Sequence, residues 1–288
     1  MKRNFCLGSE WLYYKIYTGV KTADMMLSQK LYPVIADLNQ SGVITKWFFI
    51  RYKDPDEHLR LRFLCDAPEK TALVIQALYP VFNELMENDL VWKLQADTYN
   101  REIERYGEST IEQSESIFHW DSEMIAHYIP LKPSLGDHNT ELLFSFLAID
   151  AFLDSFSLSN PEKSALMDEL QLSFKKEFQA DKGLKKELDK NYRELEPSIG
   201  RFLNFAAVEF PELALLVTKK QSHIAPLIAA IKEKSEISLL SFLQSHIHMM
   251  VNRQFTSRQR TYECLIYDHL HRYYKKSAFL KASSNDNK

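Results

Sequence analysis

Apolar and polar positions change their period along the chain, and the change predicts where strands give way to helices. Residues 11 to 17, Trp-Leu-Tyr-Tyr-Lys-Ile-Tyr, are rich in aromatic and β-branched side chains and predict a strand that stops at Gly19. From Thr22 to Gln40 the apolar residues Met25, Met26, Leu31, Val34, Ile35 and Leu38 recur at helical spacing; Pro33 is expected to bend this helix and Ser41-Gly42 to end it. Residues 46 to 52, Lys-Trp-Phe-Phe-Ile-Arg-Tyr, and the alternating run His58 to Leu64 predict two strands. The polar turn Lys53-Asp54-Pro55-Asp56 joins them into a hairpin. A helix over Pro68 to Met86 and a strand over 90 to 99 complete the N-terminal pattern.

The order β-α-β-β-α-β is the ferredoxin-like split arrangement, with both helices on one face of a four-stranded antiparallel sheet. After Gly107 only helical periods remain, over 109 to 128, 138 to 157, 161 to 180, 183 to 204, 221 to 234 and 238 to 276, the last expected to be broken. Breaks are expected at Pro130 to Pro133, Asn160-Pro161, Pro197 and Pro211. The predicted fold class is α+β: a ferredoxin-like half over 9 to 107 packed with a mostly helical half over 108 to 282. The two are expected to form one domain over 1 to 282, with a polar, flexible tail at 283 to 288.

Composition narrows the function. The formal charge of −3, from 36 Lys+Arg against 39 Asp+Glu, implies no strongly charged partner for the chain as a whole. Seven glycines in 288 residues disfavour glycine-rich phosphate loops. Cys6, Cys65 and Cys264 lie far apart with no CxxC pairing, which supports neither disulfides nor a cysteine zinc site and fits a cytoplasmic setting. Neither a signal peptide nor a membrane span is expected.

Three segments carry chemistry-bearing residues. In His58-Leu59-Arg60-Leu61-Arg62-Phe63, period two puts His58, Arg60 and Arg62 on one face of a strand and the apolar residues on the other. The cationic face is either a solvated surface with paired arginines or an anion cradle. In Tyr99 to Gly107, Glu102 and Arg105 share a face if the segment is helical, as do Arg101 and Arg105, and a self-paired surface turn is the plainer reading. His246 to Arg253 reads as a buried helix carrying His248, Asn252 and Arg253. His246 and His248 would point nearly opposite ways, as would His269 and His271, so no metal site is signalled. Residues 253 to 281 hold seven cations against two carboxylates, but no RNA-recognition motif accompanies them, and a solvated helix face is the better reading.

Together, Trp11 to Tyr17 with Gly19, Trp47 to Tyr52, Asp54-Pro55, His58 to Phe63, Tyr99 with Arg101 to Gly107, and His248-Met249 with Asn252-Arg253 resemble a known family. It is the C-terminal elimination domain of lantibiotic dehydratases, which also occurs alone as the thiopeptide-type bacteriocin biosynthesis protein. The resemblance spans 9 to 275; the stretch from 159 to 235 contributes little. It implies a lyase in lanthipeptide- or thiopeptide-type biosynthesis. In that family a glutamylation module uses glutamyl-tRNA to esterify Ser or Thr of a ribosomally made precursor peptide. The elimination domain then expels glutamate to leave dehydroalanine or dehydrobutyrine.

The implied partners are the glutamylated precursor peptide and a separate glutamylation enzyme, with no direct nucleic-acid contact; a homodimer is left open. The resemblance implies no cofactor. It places Arg62, Arg105 and His248 in the catalytic set. Arg60 and Arg62 are expected to hold substrate or leaving-group anions, Arg105 to stabilise developing charge, Glu102 to orient Arg105, and His248 to move the proton. Arg253 is a further substrate-binding expectation. Many relatives have a second histidine where this chain has Met250. Two alternatives remain: a formal [4+2] cycloaddition of two dehydroalanines, as in pyridine synthases of the same fold, and a noncatalytic protein that binds the precursor peptide along the sheet edge.

Overall fold

A two-residue strand, β1 (Asn4–Phe5), precedes the long aromatic strand β2 (Trp11–Thr18), the first of the main sheet. The hairpin strands follow as β3 (Ile44–Lys53) and β4 (Glu57–Cys65), then the edge strand β5 (Val91–Ala96) and the short β6 (Tyr99–Asn100). The sheet is antiparallel in the order β3-β4-β2-β5, the ferredoxin-like arrangement expected from the element order. This computed structural model describes residues 1 to 135 and 138 to 285, and contacts divide it into two units. The first comprises Met1–Leu131, Ala229–Ser245 and Asn252–Ser257; the second comprises Lys132–Ile228, His246–Val251 and the chain from Arg258 on.

In the first unit the crossover from β2 to β3 is helical throughout but not one regular helix. α1 (Val20–Met25) passes through a π-helical turn at Met26–Leu31 into α2 (Tyr32–Gln40). Pro33 therefore follows closely on the π-helical turn: it has no N–H to give to that turn's carbonyls, and it lies where the regular α-helical bonding is already interrupted. Between β4 and β5 runs α3 (Thr71–Glu87), which buries Val74, Leu78, Phe82 and Leu85. The sheet face bearing Leu12, Tyr14, Ile16, Leu59, Leu61 and Phe63 packs under these helices, with the Tyr14 and Phe82 rings 5.3 Å apart. Shape complementarity of this kind, rather than propensity alone, holds short helices in place.

The strand expected over 90 to 99 is two strands. Asp97 N–H still bonds the Tyr13 carbonyl, but Thr98 N–H turns to the Asp97 carboxylate, and β6 pairs instead with β1. This detour carries Tyr99 onto the sheet face opposite the helices. α4 (Ile103–Tyr106) follows as a single turn, then α5 (Ile111–Tyr128). Gly107 ends α4 at φ +77°, and a Cβ there would meet Thr110 Oγ1 at 2.7 Å and Glu236 Oε2 at 2.9 Å, so only glycine fits.

The remaining helices are α6 (His138–Ser155), α7 (Asn160–Glu177), α8 (Lys182–Glu209), α9 (Pro211–Lys234), α10 (Leu239–Gln254) and α11 (Gln259–Asn285). A capping box, in which Ser159 N–H donates to Glu162 at 2.7 Å, starts α7. In the second unit α11 packs along α7. Pro197 lies inside α8 rather than breaking it: Leu188, Tyr192, Leu195, Ile199 and Phe202 form one buried stripe through it, which outweighs a lost backbone bond. Pro211 is a true boundary and opens α9, ten residues ahead of the expected start at 221. Of the stretch expected as a tail, 283 to 285 belong to α11, and 286 to 288 lie outside the described residues.

The free edge of β3 is closed by side chains of its own unit. Trp47 N–H donates to His119 Nδ1 at 3.3 Å and Phe49 N–H to Ser122 Oγ at 3.2 Å, both from α5. Asn252 completes the row: its Oδ1 accepts from Arg51 N–H and its Nδ2 donates to the Arg51 carbonyl, each at 2.9 Å. An amide side chain supplies one donor and one acceptor, as a neighbouring strand would.

Candidate active site

Pairing on both sides of β4 fixes what surrounds its arginines. Arg62 lies opposite Tyr13 on β2 and Phe48 on β3; Arg60 lies opposite Lys15 and Ile50; His58 lies opposite Tyr17 and Tyr52. His58, Arg60 and Arg62 thus share the face away from the helices, as the period predicts.

Arg62 is 8% exposed, and its guanidinium sits among three rings, 4.4 Å from the Tyr13 centroid, 5.0 Å from Tyr99 and 5.2 Å from Phe48. Among the described residues it has no ion-pair partner, and its buried Nε has no hydrogen-bond acceptor. Burial is the main cause that draws its pKa below the ordinary arginine value; Arg60 pushes the same way and Glu102 the other. Arginine stays charged even so, and ring faces compensate a buried cation only in part. What remains is a fixed cation with unused donors, suited to a carboxylate.

Arg60 stacks 3.4 Å over the Tyr52 ring and donates from Nε to His58 Nε2 at 3.2 Å. His58 Nδ1 lies 2.9 Å from the Asp56 carbonyl, so the imidazole donates from Nδ1 and accepts at Nε2, the neutral tautomer. Its pKa is lowered, chiefly by burial, with Arg60 adding repulsion. His58 thus orients Arg60, a role the strand period did not reveal.

In the Tyr99 to Gly107 segment the two arginines part company. Arg101 precedes α4, so the condition under which it would share a helical face with Arg105 is not met. It is 6% exposed and makes a forked pair with the fully buried Glu115, at 2.7 and 2.8 Å. Arg105 is 55% exposed and pairs with Glu102 at 3.2 Å. Arg253, fully buried, reaches Asp121 through Nη1 at 3.4 Å, and its carbonyl accepts from Arg51 Nε at 3.0 Å. Arg62, Glu102, Arg105, Arg253 and Arg60 therefore form one electrostatic neighbourhood in the first unit: Arg60, Glu102 and Arg253 act on Arg62, and Arg105 and Glu102 both act on Tyr106.

His248 belongs to the second unit. Its Nδ1 is 2.6 Å from Glu263 Oε1, and its side chain is 34% exposed while Glu263 is 1% exposed. Arg260 Nη1, at 2.8 Å, and Tyr267 O–H, at 3.3 Å, also donate to Glu263. A carboxylate fixed at Nδ1 leaves Nε2 as the imidazole's proton-accepting atom. His246, two residues earlier, is fully buried near Phe152, so the two histidines do diverge. Among the described residues no three His, Cys, Asp or Glu side chains are grouped to hold a metal, and no helix is long and apolar enough to cross a membrane.

The sequence pattern of the lantibiotic biosynthesis dehydratase C-terminal family matches residues 11 to 274. The chain belongs to this family. It is 26% identical over 257 residues to the subtilin biosynthesis protein SpaB of Bacillus subtilis, covering 85% of this chain and 24% of SpaB. To the nisin biosynthesis protein NisB of Lactococcus lactis subsp. lactis it is 30% identical over 154 residues, 51% of this chain and 15% of NisB. The chain thus spans about a quarter or less of these relatives' length. Its fold is shared with the tRNA-dependent lantibiotic dehydratase MibB from Microbispora sp. 107891, with a TM-score of 0.75 at 20% identity over 93% of this chain and 28% of MibB. It is shared also with the pyridine synthase TbtD from thiomuracin biosynthesis, with a TM-score of 0.62 at 12% identity over 92% and 99%.

Three groups escaped the sequence reading: the rings around Arg62, Glu263 behind His248, and Glu115 and Asp121 behind Arg101 and Arg253. The rings come from β2, β3 and β6, and Glu263 from another helix, so no spacing within one segment signals them.

Proposed function

We propose that this dehydratase domain eliminates glutamate from glutamylated Ser or Thr residues of a ribosomally made precursor peptide. A base takes the Cα proton, the Cα–Cβ double bond forms, and the Cβ–O bond breaks with its electron pair leaving on the glutamate carboxylate. Negative charge grows on the peptide carbonyl and on the departing carboxylate, and fixed cations stabilise both more than they stabilise the neutral ester. In this reading Arg62, with Arg60 beside it, receives the carboxylate. Arg105, held by Glu102, meets the enolate charge, and His248 moves the proton through Nε2 while Glu263 holds its ring. Arg253, paired with Asp121, repels Arg62 but adds to the positive potential that an arriving anion meets there. No cofactor takes part, and the glutamyl ester is supplied by a glutamylation enzyme that uses glutamyl-tRNA.

The observation that carries this reading is the buried, ring-bounded Arg62, which has no carboxylate partner among the described residues. Buried cations are ordinarily paired, and one left unpaired at a cost to stability marks a place for a ligand anion. The test is mass spectrometry of a glutamylated precursor peptide incubated with the protein. The wild type should convert it to the dehydrated peptide and free glutamate, and His248→Ala and Glu263→Gln should slow conversion by roughly 10²-fold. Glutamylated peptide that stays bound and unchanged with the wild type would refute elimination and leave a peptide carrier.

The fold shared with TbtD over 92% of the chain favours one second reading, cycloaddition. The closer sequence kinship is with lantibiotic biosynthesis proteins, at 26% and 30% identity against 12% for TbtD, which favours elimination. A peptide already carrying two dehydroalanines separates the two: ring closure would establish cycloaddition.

A further inference from the structure

The last strand of the main sheet, β5, has an open edge. Asp97 N–H bonds the Tyr13 carbonyl at 3.0 Å, and antiparallel pairs alternate, so Lys93 and Gln95 spend their backbone groups on β2. Leu94 and Ala96 then direct N–H and C=O outward, and among the described residues no strand pairs with them. Open edges recruit other strands unless they are blunted.

Apolar side chains border this edge. Trp92, at the bulge where the β2 register shifts, is 54% exposed. On α3, Glu84 pairs with Lys30, which marks the flank that faces the first crossover. Ile75, Tyr79 and Met86 lie about half a turn of the helix from Glu84, on the opposite flank. They are 42%, 65% and 46% exposed. Since α3 contacts β5, that flank borders the open edge, and the Asp89 N–H bond to the Met86 carbonyl ties the end of α3 to the approach to β5. A cluster of exposed apolar residues beside an open edge marks an interaction site.

The other side of the edge is cationic. Lys93 is exposed, with Nζ 4.9 Å from the Tyr17 ring, and its strand neighbours on that face lead to Lys15 and Arg60. Lys15 is neutralised by Asp97, whereas Lys93 has no carboxylate partner among the described residues. An added strand presents alternate side chains to the two sides. We propose that the β5 edge binds an extended peptide segment whose side chains alternate between acidic and apolar. The acidic ones meet Lys93 and the apolar ones meet Trp92 and Tyr79. A second copy fits less well, because pairing two β5 strands would bring both Lys93 side chains and two cationic faces together. Identifying the segment with part of the precursor peptide rests on the elimination reading; the binding itself does not.

The probe is a blocked octapeptide of alternating Glu and Val, with its alternating Lys and Val counterpart as control. Hydrogen exchange and fluorescence anisotropy are measured on the full chain and on Trp92→Ala, Lys93→Glu and Ala96→Pro, the last of which removes one outward N–H from an edge strand that tolerates proline. Exchange at the Leu94 and Ala96 amides should slow on binding, each variant should weaken binding about tenfold or more, and Lys93→Glu should shift preference to the Lys peptide. Absence of binding, unchanged exchange at these amides, or variants that bind as the wild type does would overturn the proposal. Slowed exchange that depends on protein concentration without peptide would overturn it in favour of self-pairing. Elimination by the wild type is assayed in parallel: absence of edge binding by the wild type with elimination intact defeats this proposal alone, and edge binding without elimination defeats only the proposed reaction.

Discussion

Arg62 and Arg101 are buried to nearly the same degree, and their surroundings assign them opposite work. Arg101 is held by the forked pair with Glu115, which also accepts from the Tyr99 hydroxyl at 3.0 Å. Burial alone would lower the Arg101 pKa, yet the bonds to Glu115 raise it, so the ion pair is well satisfied. Breaking such a pair strands a buried charge. Arg101→Met is predicted to lower stability by about 3–5 kcal/mol, measured by urea unfolding. Arg62 has rings and no acid, so Arg62→Met removes an unsatisfied donor and fills the space with apolar atoms. Its stability is predicted to stay within about 1 kcal/mol of the wild type in the same experiment. Strand period alone placed Arg62 on the polar face. It could not say which of the arginines in the two segments has a counter-ion, because Glu115 lies on α5 and the rings on three different strands.

The elements were legible wherever one period ran unbroken. The βαββαβ order and the hairpin around Asp54-Pro55 followed from alternation and turn residues. The π-helical turn at Met26–Leu31 did not, because a wider turn keeps apolar residues on one side without changing composition. The split of β5 from β6 was hidden because Asp97 and Thr98 redirect the chain through one side-chain bond. Pro197 misled for a related reason: a long buried stripe overrides a local breaker. The histidine segment was legible as a helix, but its partner Glu263 sits fifteen residues on, in α11.

That same helix bears a charge cluster with a measurable acid limit. Asp268, 2% exposed, accepts from Lys175 at 2.6 Å and from Arg272 Nε at 2.7 Å, with His269 Nδ1 at 3.3 Å. Burial alone would raise its pKa, but the bonds from His269, Lys175 and Arg272 outweigh it and hold the carboxyl well below the usual carboxylate range. With the folded pKa below the unfolded value of about 3.9, its stabilising contribution is full above that value and is lost as pH falls toward the folded one. Urea unfolding followed from neutral pH to acid should show stability falling below about pH 4, and Asp268→Asn should flatten that fall while lowering stability at neutral pH.

At the scale of the whole molecule, a chain of net charge −3 gathers cationic and aromatic side chains on the face of its main sheet away from the helices. Fixed cations belong to the first unit, and a carboxylate-oriented imidazole belongs to the second. Family membership gives the biosynthetic setting, and the ring-bounded Arg62 supports the particular step. The decisive measurement is single-turnover elimination from a glutamylated peptide by Arg62→Met beside the wild type, once unfolding has shown the two equally stable. Glutamylated peptide should accumulate, with the rate lower by about 10²–10³-fold, as expected when a preorganised charge is removed from a developing anion. An Arg62→Met protein that releases glutamate as fast as the wild type would contradict the account at its centre.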